Sequence, residues 1–299
     1  HRINLYYCTK QPFCCFRLEV YTMSEECTHD CNSCGQNCGS RSPESLVATP
    51  YKGTKIGKII GVVSGKGGVG KSMVTDLLAV SLAKKGYKVG ILDADITGPS
   101  IPAAFGLTEK ATSNDEVMFP VYSKELHIPV MSINLLLENE SDPVIWRGPI
   151  IAGTVKQFYT EVAWGELDYL LVDMPPGTGD VPLTVFQSIT VDGIIVVTSP
   201  QQLVSMIVEK AVNMASLMNI PVYGIVENMS YALCPDCGKK IFVFGESKVE
   251  ETATKHKVPV LAQIPIQPEL ASACDNGQVE SLDASFMDNA CRILEREDA

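Results

Sequence analysis

Gly65-Lys66-Gly67-Gly68-Val69-Gly70-Lys71-Ser72 satisfies GxxxxGK[ST] at every fixed position, after an apolar run and before a helical stretch. Glycines let backbone N–H groups curl around phosphate oxygens. The helix that follows offers its positive N-terminus to an anion. In this motif Lys71 reaches the β- and γ-phosphates and the Ser72 hydroxyl ligates Mg²⁺. The bland alternative is a Gly-rich turn that binds nothing; the Lys-Ser pair and the strand–helix context argue against it.

Two carboxylate segments follow apolar runs, Asp93-Ala-Asp95-Ile-Thr-Gly-Pro-Ser100 and Asp173-Met-Pro-Pro-Gly-Thr-Gly-Asp180. Ligand sites of open α/β sheets lie at such strand ends, and a carboxylate there suits Mg²⁺, directly or through water. Asp173 is the Walker B candidate. The Pro-Pro-Gly-Thr-Gly run has the glycines for a backbone switch that senses the γ-phosphate. A single Asp at such a place often only caps a helix; a set in this order carries more weight. Asn228 ends another apolar run and is the candidate for base recognition, since its amide both donates and accepts. Capping or turn formation is its rival role.

The chain has 11 cysteines, mostly clustered. Cys234-Pro-Asp-Cys237 can bring two thiolates to one metal, and both zinc and iron–sulfur centres suit thiolates. Two thiolates do not complete a four-ligand site; two copies of the chain do. Zinc is the strong rival occupant, because CPxCG is also half of a zinc knuckle. Cys27, Cys31, Cys34 and Cys38 lie within twelve residues and can wrap a second cluster. A zinc site with His29 replacing one ligand, or merely flexible thiols, are the alternatives. No role follows for Cys8, Cys14 and Cys15, and buried or incidental thiols are the default for Cys274 and Cys291.

The elements that must position these groups are legible from Ile56 onward. Strand candidates are Ile59–Ser64, Lys88–Asp93, Tyr169–Asp173, Gly193–Thr198, Val222–Asn228 and Val260–Ile264, nearly continuous in apolar character. Parallel strands buried on both faces read this way. Helical stretches Lys71–Lys85, Ile150–Ala163 and Leu203–Met218 lie between them. In the last, Leu203, Ile207, Val208, Ala211, Met214 and Ala215 recur at helical spacing and read as core. The alternation predicts an α/β fold with a doubly wound, mostly parallel sheet. Residues 1–22 carry no clear periodicity and precede Met23; they read as a non-native or disordered extension. Residues 23–55 read as a Cys-rich segment and linker, and 56–299 as the phosphate-binding domain.

Composition narrows the partners. Lys and Arg number 24 against 35 Asp and Glu, a net charge of −11, and hydrophobic residues make up 45%. A core is affordable, and a standing nucleic-acid partner is disfavoured because phosphate backbones need a basic surface. No apolar run approaches membrane-spanning length, and the acidic end Arg292–Ala299 is unlike a basic membrane anchor. The first 22 residues hold no secretory h-region. A cytoplasmic protein with neither nucleic-acid nor membrane partner is expected.

The second lysine, Lys66, is not needed by a generic phosphate loop. With it, GKGGVGKS resembles the deviant Walker A of the signature-lysine ATPases, which include the MinD, ParA, arsenite-pump and nitrogenase iron-protein families. That resemblance implies that Lys66 reaches nucleotide across a homodimer interface, that Asp93 lies near the metal and that Asp95 positions the attacking water. Lys66, Lys71 and Asp95 are thus the catalytic set. Adding Trp146-Arg-Gly-Pro149, Glu227-Asn-Met-Ser230 and Cys234-Pro-Asp-Cys237, the order of motifs from Ile56 onward looks like the Mrp/ApbC branch of P-loop ATPases, the iron–sulfur cluster carriers and scaffolds. The resemblance implies a slow ATPase that holds a [4Fe–4S] cluster between two subunits through Cys234 and Cys237 and passes it to apo-proteins. The N-terminal cysteines look like the extension of the eukaryotic cytosolic scaffold, with different spacing. Its rivals are a MinD/ParA-like positioning ATPase, a nitrogenase-iron-protein-like reductase and a zinc-binding regulatory ATPase.

Overall fold

The computed structural model describes residues 48–96, 98, 100–114, 116–137, 148–200 and 204–296, within the unit Leu46–Ala299. The expectations for Cys8, Cys14, Cys15, Cys27, His29, Cys31, Cys34, Cys38, Trp146, Arg147 and Leu203 lie outside the described residues.

The elements run β1 (Lys55–Ser64), α1 (Lys71–Lys84), β2 (Val89–Asp93), α2 (Ile101–Ala104), β3 (Thr112–Ser113), β4 (Met118–Phe119), β5 (Val121–Tyr122) and β6 (Pro129–Met131). Then come α3 (Gly148–Thr160), β7 (Glu166–Asp173), α4 (Asp180–Ser188), β8 (Gly193–Thr198), α5 (Val204–Leu217) and β9 (Val222–Glu227). The chain closes with β10 (Ala232–Leu233), β11 (Lys240–Ile241), α6 (Val249–His256), β12 (Val260–Gln263), α7 (Pro268–Asp275) and α8 (Asp288–Arg296).

Eight strands form one sheet in the order β12-β9-β8-β1-β7-β2-β6-β5. All neighbours are parallel except the edge pair β5–β6. The β1 side chains show why the strand sits at the centre. Ile60 and Val62 enter the core on one face; Ile59 and Val63 enter the core on the other. A strand with apolar residues on both faces is buried only if helices cover both. Helices α1, α2, α7 and α8 do so on the first face, and α3, α4, α5 and α6 on the second. This is the doubly wound α/β sheet read from the sequence. In α5, Val208, Ala211, Met214 and Ala215 are buried, so the Met-containing stripe is core.

Six strands fall where the apolar runs lie. The short pieces β3–β6, β10 and β11 had no such signal, because two or three residues show no period. Residues before β1 also pack: Ala48 is buried and its N–H donates to the Ser188 carbonyl at 3.1 Å.

Candidate nucleotide and metal sites

The chain leaves β1 at Ser64 and turns through the glycines into α1. Gly68 and Gly70 have φ of +77° and +76°, a region that suits glycine. A Cβ on Gly70 would run into Asn228 Nδ2, and one on Gly65 into Ile207 Cγ2. Helix α1 starts with no side-chain cap and no acidic residue in its first turn, so its N-terminal field is left for an anion. The loop borders a cleft of about 320 Å³ lined by Ser64, Gly67, Gly68, Gly70, Lys71, Ser72, Asp95 and Pro176, among others. Gly67 and Gly68 are exposed, Val69 is buried and Lys66 half-buried, with Ser64 Oγ donating to the Lys66 carbonyl at 3.0 Å.

Lys71 is buried, with Nζ 2.8 Å from Asp173 Oδ2 and 3.5 Å from Asp95 Oδ2. These close ion pairs hold the buried ammonium between the two carboxylates at the edge of the cleft. Asp173 Oδ2 accepts from Ser72 Oγ at 2.6 Å, and its Oδ1 from Thr75 Oγ1 at 2.9 Å. Asp93 and Asp173 end adjacent strands as register partners. Asp93 accepts from Ser132 Oγ at 2.9 Å and from the Asp95 N–H at 3.1 Å. Burial, and then the charge of Asp173, push the Asp93 carboxyl well above its ordinary range, against the pull of Lys71. An excess of buried negative charge beside a phosphate cradle is what a divalent cation relieves. The donor set fits Mg²⁺: a hydroxyl, one or two carboxylates, and room for waters and phosphate oxygens. No three His, Cys, Asp or Glu side chains among the described residues converge to hold a metal unaided.

The structure thus brings together Gly65–Ser72, Asp93, Asp95 and Asp173. Gly177, in the expected switch segment, donates its N–H to the Ser64 carbonyl at 2.8 Å, tying that segment to the end of β1. Asn228 is buried with its amide engaged. Nδ2 donates to the Val69 carbonyl at 2.9 Å, and Oδ1 accepts from the Met229 N–H at 2.9 Å. Its observed partners are backbone groups of the phosphate loop and its own turn.

The cysteine pair sits apart from this cleft in sequence, on the β10–β11 hairpin. The Cys234 N–H donates to the Lys239 carbonyl and the Gly238 N–H to the Cys234 carbonyl, both at 2.9 Å. Cys234 is half-buried, Cys237 exposed, and both are free thiols. Backbone N–H groups of Cys237 and then Asp236 pull the Cys234 thiol below its usual value, favouring the thiolate that binds metal. Burial pushes Cys274 up to about 11 and raises Cys291 as well; Cys291 lies in the core on the α1 side of the sheet and Cys274 packs against it. Beside the pair stand exposed Leu233, Ile241, Phe242, Val243 and Phe244.

Sequence reasoning missed Thr75, Ser132 and Asp76. Thr75 lies one helical turn after Lys71, and Ser132 directly follows the apolar run ending at Met131, so position held a signal for both. Asp76 is buried in α1 with Oδ1 unpartnered among the described residues. Burial, then Asp173 and Asp93, raise its carboxyl well above the ordinary value.

The family model of the NUBPL iron-transfer P-loop NTPases, under ParA, matches residues 55–296. This chain belongs to that family. The match spans the strand, the phosphate loop, both carboxylate segments and the cysteine hairpin described above. Among relatives of this P-loop NTPase is the iron-sulfur cluster carrier protein of Clostridium perfringens, 49% identical over 84% of this chain and 90% of the relative. The protein of the same name from Methanocaldococcus jannaschii is 41% identical over 91% of this chain and 96% of its own length. Among solved structures, a nucleotide-binding protein from Archaeoglobus fulgidus, in complex with ADP and with Co found by PIXE, is 50% identical. It superposes with a TM-score of 0.71 over 78% of this chain and 91% of that one. The cell division protein MinD of Aquifex aeolicus, 22% identical with a TM-score of 0.56 over 80% of this chain and 97% of that one, shares the fold.

Proposed function

We propose that this P-loop NTPase is an ATP-dependent iron–sulfur cluster carrier, in which two copies hold one [4Fe–4S] cluster through Cys234 and Cys237 and pass it to apo-proteins. The observation that carries this reading is a pair of free, accessible thiols on one hairpin, one with a lowered pKa. Among the described residues one chain supplies two thiol ligands there, and a cubane takes four. The names of the two carrier relatives support the cargo, and the ADP of the Archaeoglobus protein supports the nucleotide.

In this reading the amides of Gly65–Ser72 and the α1 N-terminus bind the phosphates, and Lys71 neutralises the β- and γ-oxygens. Ser72 and Asp173, with Asp93 nearby, hold Mg²⁺, which supplies charge neutralisation on the phosphates. Asp95 orients the attacking water, and Lys66 reaches nucleotide held by the partner copy. Asn228 contributes to base recognition through its remaining N–H and lone pair. Cys27, Cys31, Cys34 and Cys38 are a second candidate cluster site, and a cytoplasmic setting fits free thiols.

ATP at a hundred times its dissociation constant stabilises the state that binds it exclusively by about 2.7 kcal/mol. That biases a marginal interface without rupturing a robust one, so nucleotide gates cluster release and hydrolysis resets it. The test is cluster transfer to an apo-ferredoxin with ATP, with a non-hydrolysable analogue and with no nucleotide. Different rates in the three arms are expected. Equal rates would sink the gating, and absence of transfer in every arm would sink the carrier reading.

A further inference from the structure

Residue Glu227 has no part in the chemistry above, yet it is fully buried at the end of β9. Its carboxylate accepts from Ser230 Oγ at 2.6 Å and from Ser247 Oγ at 2.9 Å, with Gln263 Nε2 at 3.3 Å. These partners are two hydroxyls and one amide, all neutral. A buried carboxyl group is costly unless its oxygens are hydrogen-bonded, and here both oxygens have partners, drawn from three different segments of the chain.

The positions of those donors are informative. Ser230 lies just before β10, and Ser247 lies after β11. Glu227 therefore grips both ends of the loop that carries Cys234 and Cys237. The next residue grips the other site: Asn228 Nδ2 donates to the Val69 carbonyl inside the phosphate loop, and its side chain packs where a Gly70 Cβ would be. The backbone between them has little slack. The Asn228 N–H donates to the Thr198 carbonyl at 2.8 Å, and the Glu227 carbonyl accepts from the Ile264 N–H at 2.9 Å. Two adjacent buried residues on one rigid strand end thus touch the nucleotide loop and the hairpin loop at once.

We propose that the Glu227–Asn228 pair is the mechanical coupling between the two sites, with Glu227 a positioning residue that makes the cysteine hairpin respond to nucleotide in the phosphate loop. The proposal rests on the reading of the loop as the nucleotide site and of the hairpin as the metal site. When phosphate draws the loop amides inward, the Val69 carbonyl moves with them, and Asn228 carries that displacement to Glu227. Coupling through a packed network of this kind is reciprocal, so metal on the hairpin alters nucleotide affinity by the same factor.

The test is amide hydrogen exchange on the full chain, with and without a non-hydrolysable ATP analogue and Mg²⁺. It reads one peptide over the phosphate loop and one over residues 230–247. In the wild-type chain both peptides respond to nucleotide, the hairpin by about fivefold or more in rate, the lower end of typical coupling. In Glu227→Ala the phosphate-loop peptide still responds and the hairpin peptide does not. Glu227→Gln, which keeps one acceptor oxygen, restores part of the response. If Glu227→Ala gives no cooperative melt, the Ser230→Ala/Ser247→Ala double variant decides in its place. A hairpin response of wild-type size in these variants overturns the proposal. So does a wild-type hairpin that ignores nucleotide while the phosphate loop responds. Iron and zinc measured on the same samples keep the two readings apart, because zinc at the hairpin would sink the carrier and leave the coupling intact.

Discussion

At the scale of single residues, the nucleotide site is a balance of buried charges that one lysine does not close. Lys71 pairs with Asp173 and Asp95, while Asp93 and Asp76 are held above their ordinary range by burial and by their neighbours. Asp76 gives a clean test, because it lies in α1 with one oxygen unpartnered among the described residues. Its folded-state carboxyl keeps its proton to higher pH than the unfolded chain's, whose ordinary value is 3.8. The associated stability is full below that value and is lost as pH climbs through the raised one. Asp76→Asn removes the ionisation and keeps the shape. Thermal melts of the nucleotide-free chain from pH 5 to pH 8 are expected to show a flatter profile for the variant and a higher Tm at pH 8. Each kcal/mol recovered is worth about 2–4 °C in a domain of this size. An unchanged pH profile would mean that Asp76 is not the titrating group.

Element-scale features divide into those with a periodic signal and those without. Strand β8 spans Gly193–Thr198, the same residues as the apolar run, because a strand buried on both faces needs every side chain apolar. The antiparallel edge strand β5 and the β10–β11 hairpin are too short for a period, and their pairing depends on partners elsewhere in the sheet or across a turn. The phosphate loop was legible because its chemistry demands fixed residue types at fixed spacing. Glu227 lies in the Glu227-Asn-Met-Ser230 motif, but its partners Ser247 and Gln263 are 20 and 36 residues away, a proximity that only folding creates. The hairpin region carries its own prediction. Phe242 and Phe244 are 42% and 47% exposed, and an apolar patch beside the proposed cluster site calls for a cover. Phe242→Ser/Phe244→Ser is expected to weaken self-association of the reconstituted chain by tenfold or more in sedimentation, on the scale of losing two central apolar contacts (~1.4 kcal/mol per tenfold). The melting of the nucleotide-free monomer is expected to change little. Unaltered association would place the contact elsewhere.

For the whole molecule, a sheet covered on both faces leaves one end, the carboxyl ends of β1, β2 and β7, to hold the phosphate loop and the carboxylates. The strand end of β9 links that loop to the cysteine hairpin. The fold is shared with MinD of Aquifex aeolicus; the hairpin thiols are the local feature on which the carrier reading depends, since fold alone does not fix function. No helix among the described residues is long and apolar enough to cross a membrane. The central claim is that two copies share one cluster through four thiolates, and native mass spectrometry after anaerobic iron–sulfur reconstitution tests it most directly. The expected species is two chains with one [4Fe–4S] cluster, lost in the Cys234→Ala/Cys237→Ala variant. A single chain carrying zinc that iron cannot displace, or a cluster that survives in the double variant, would contradict it.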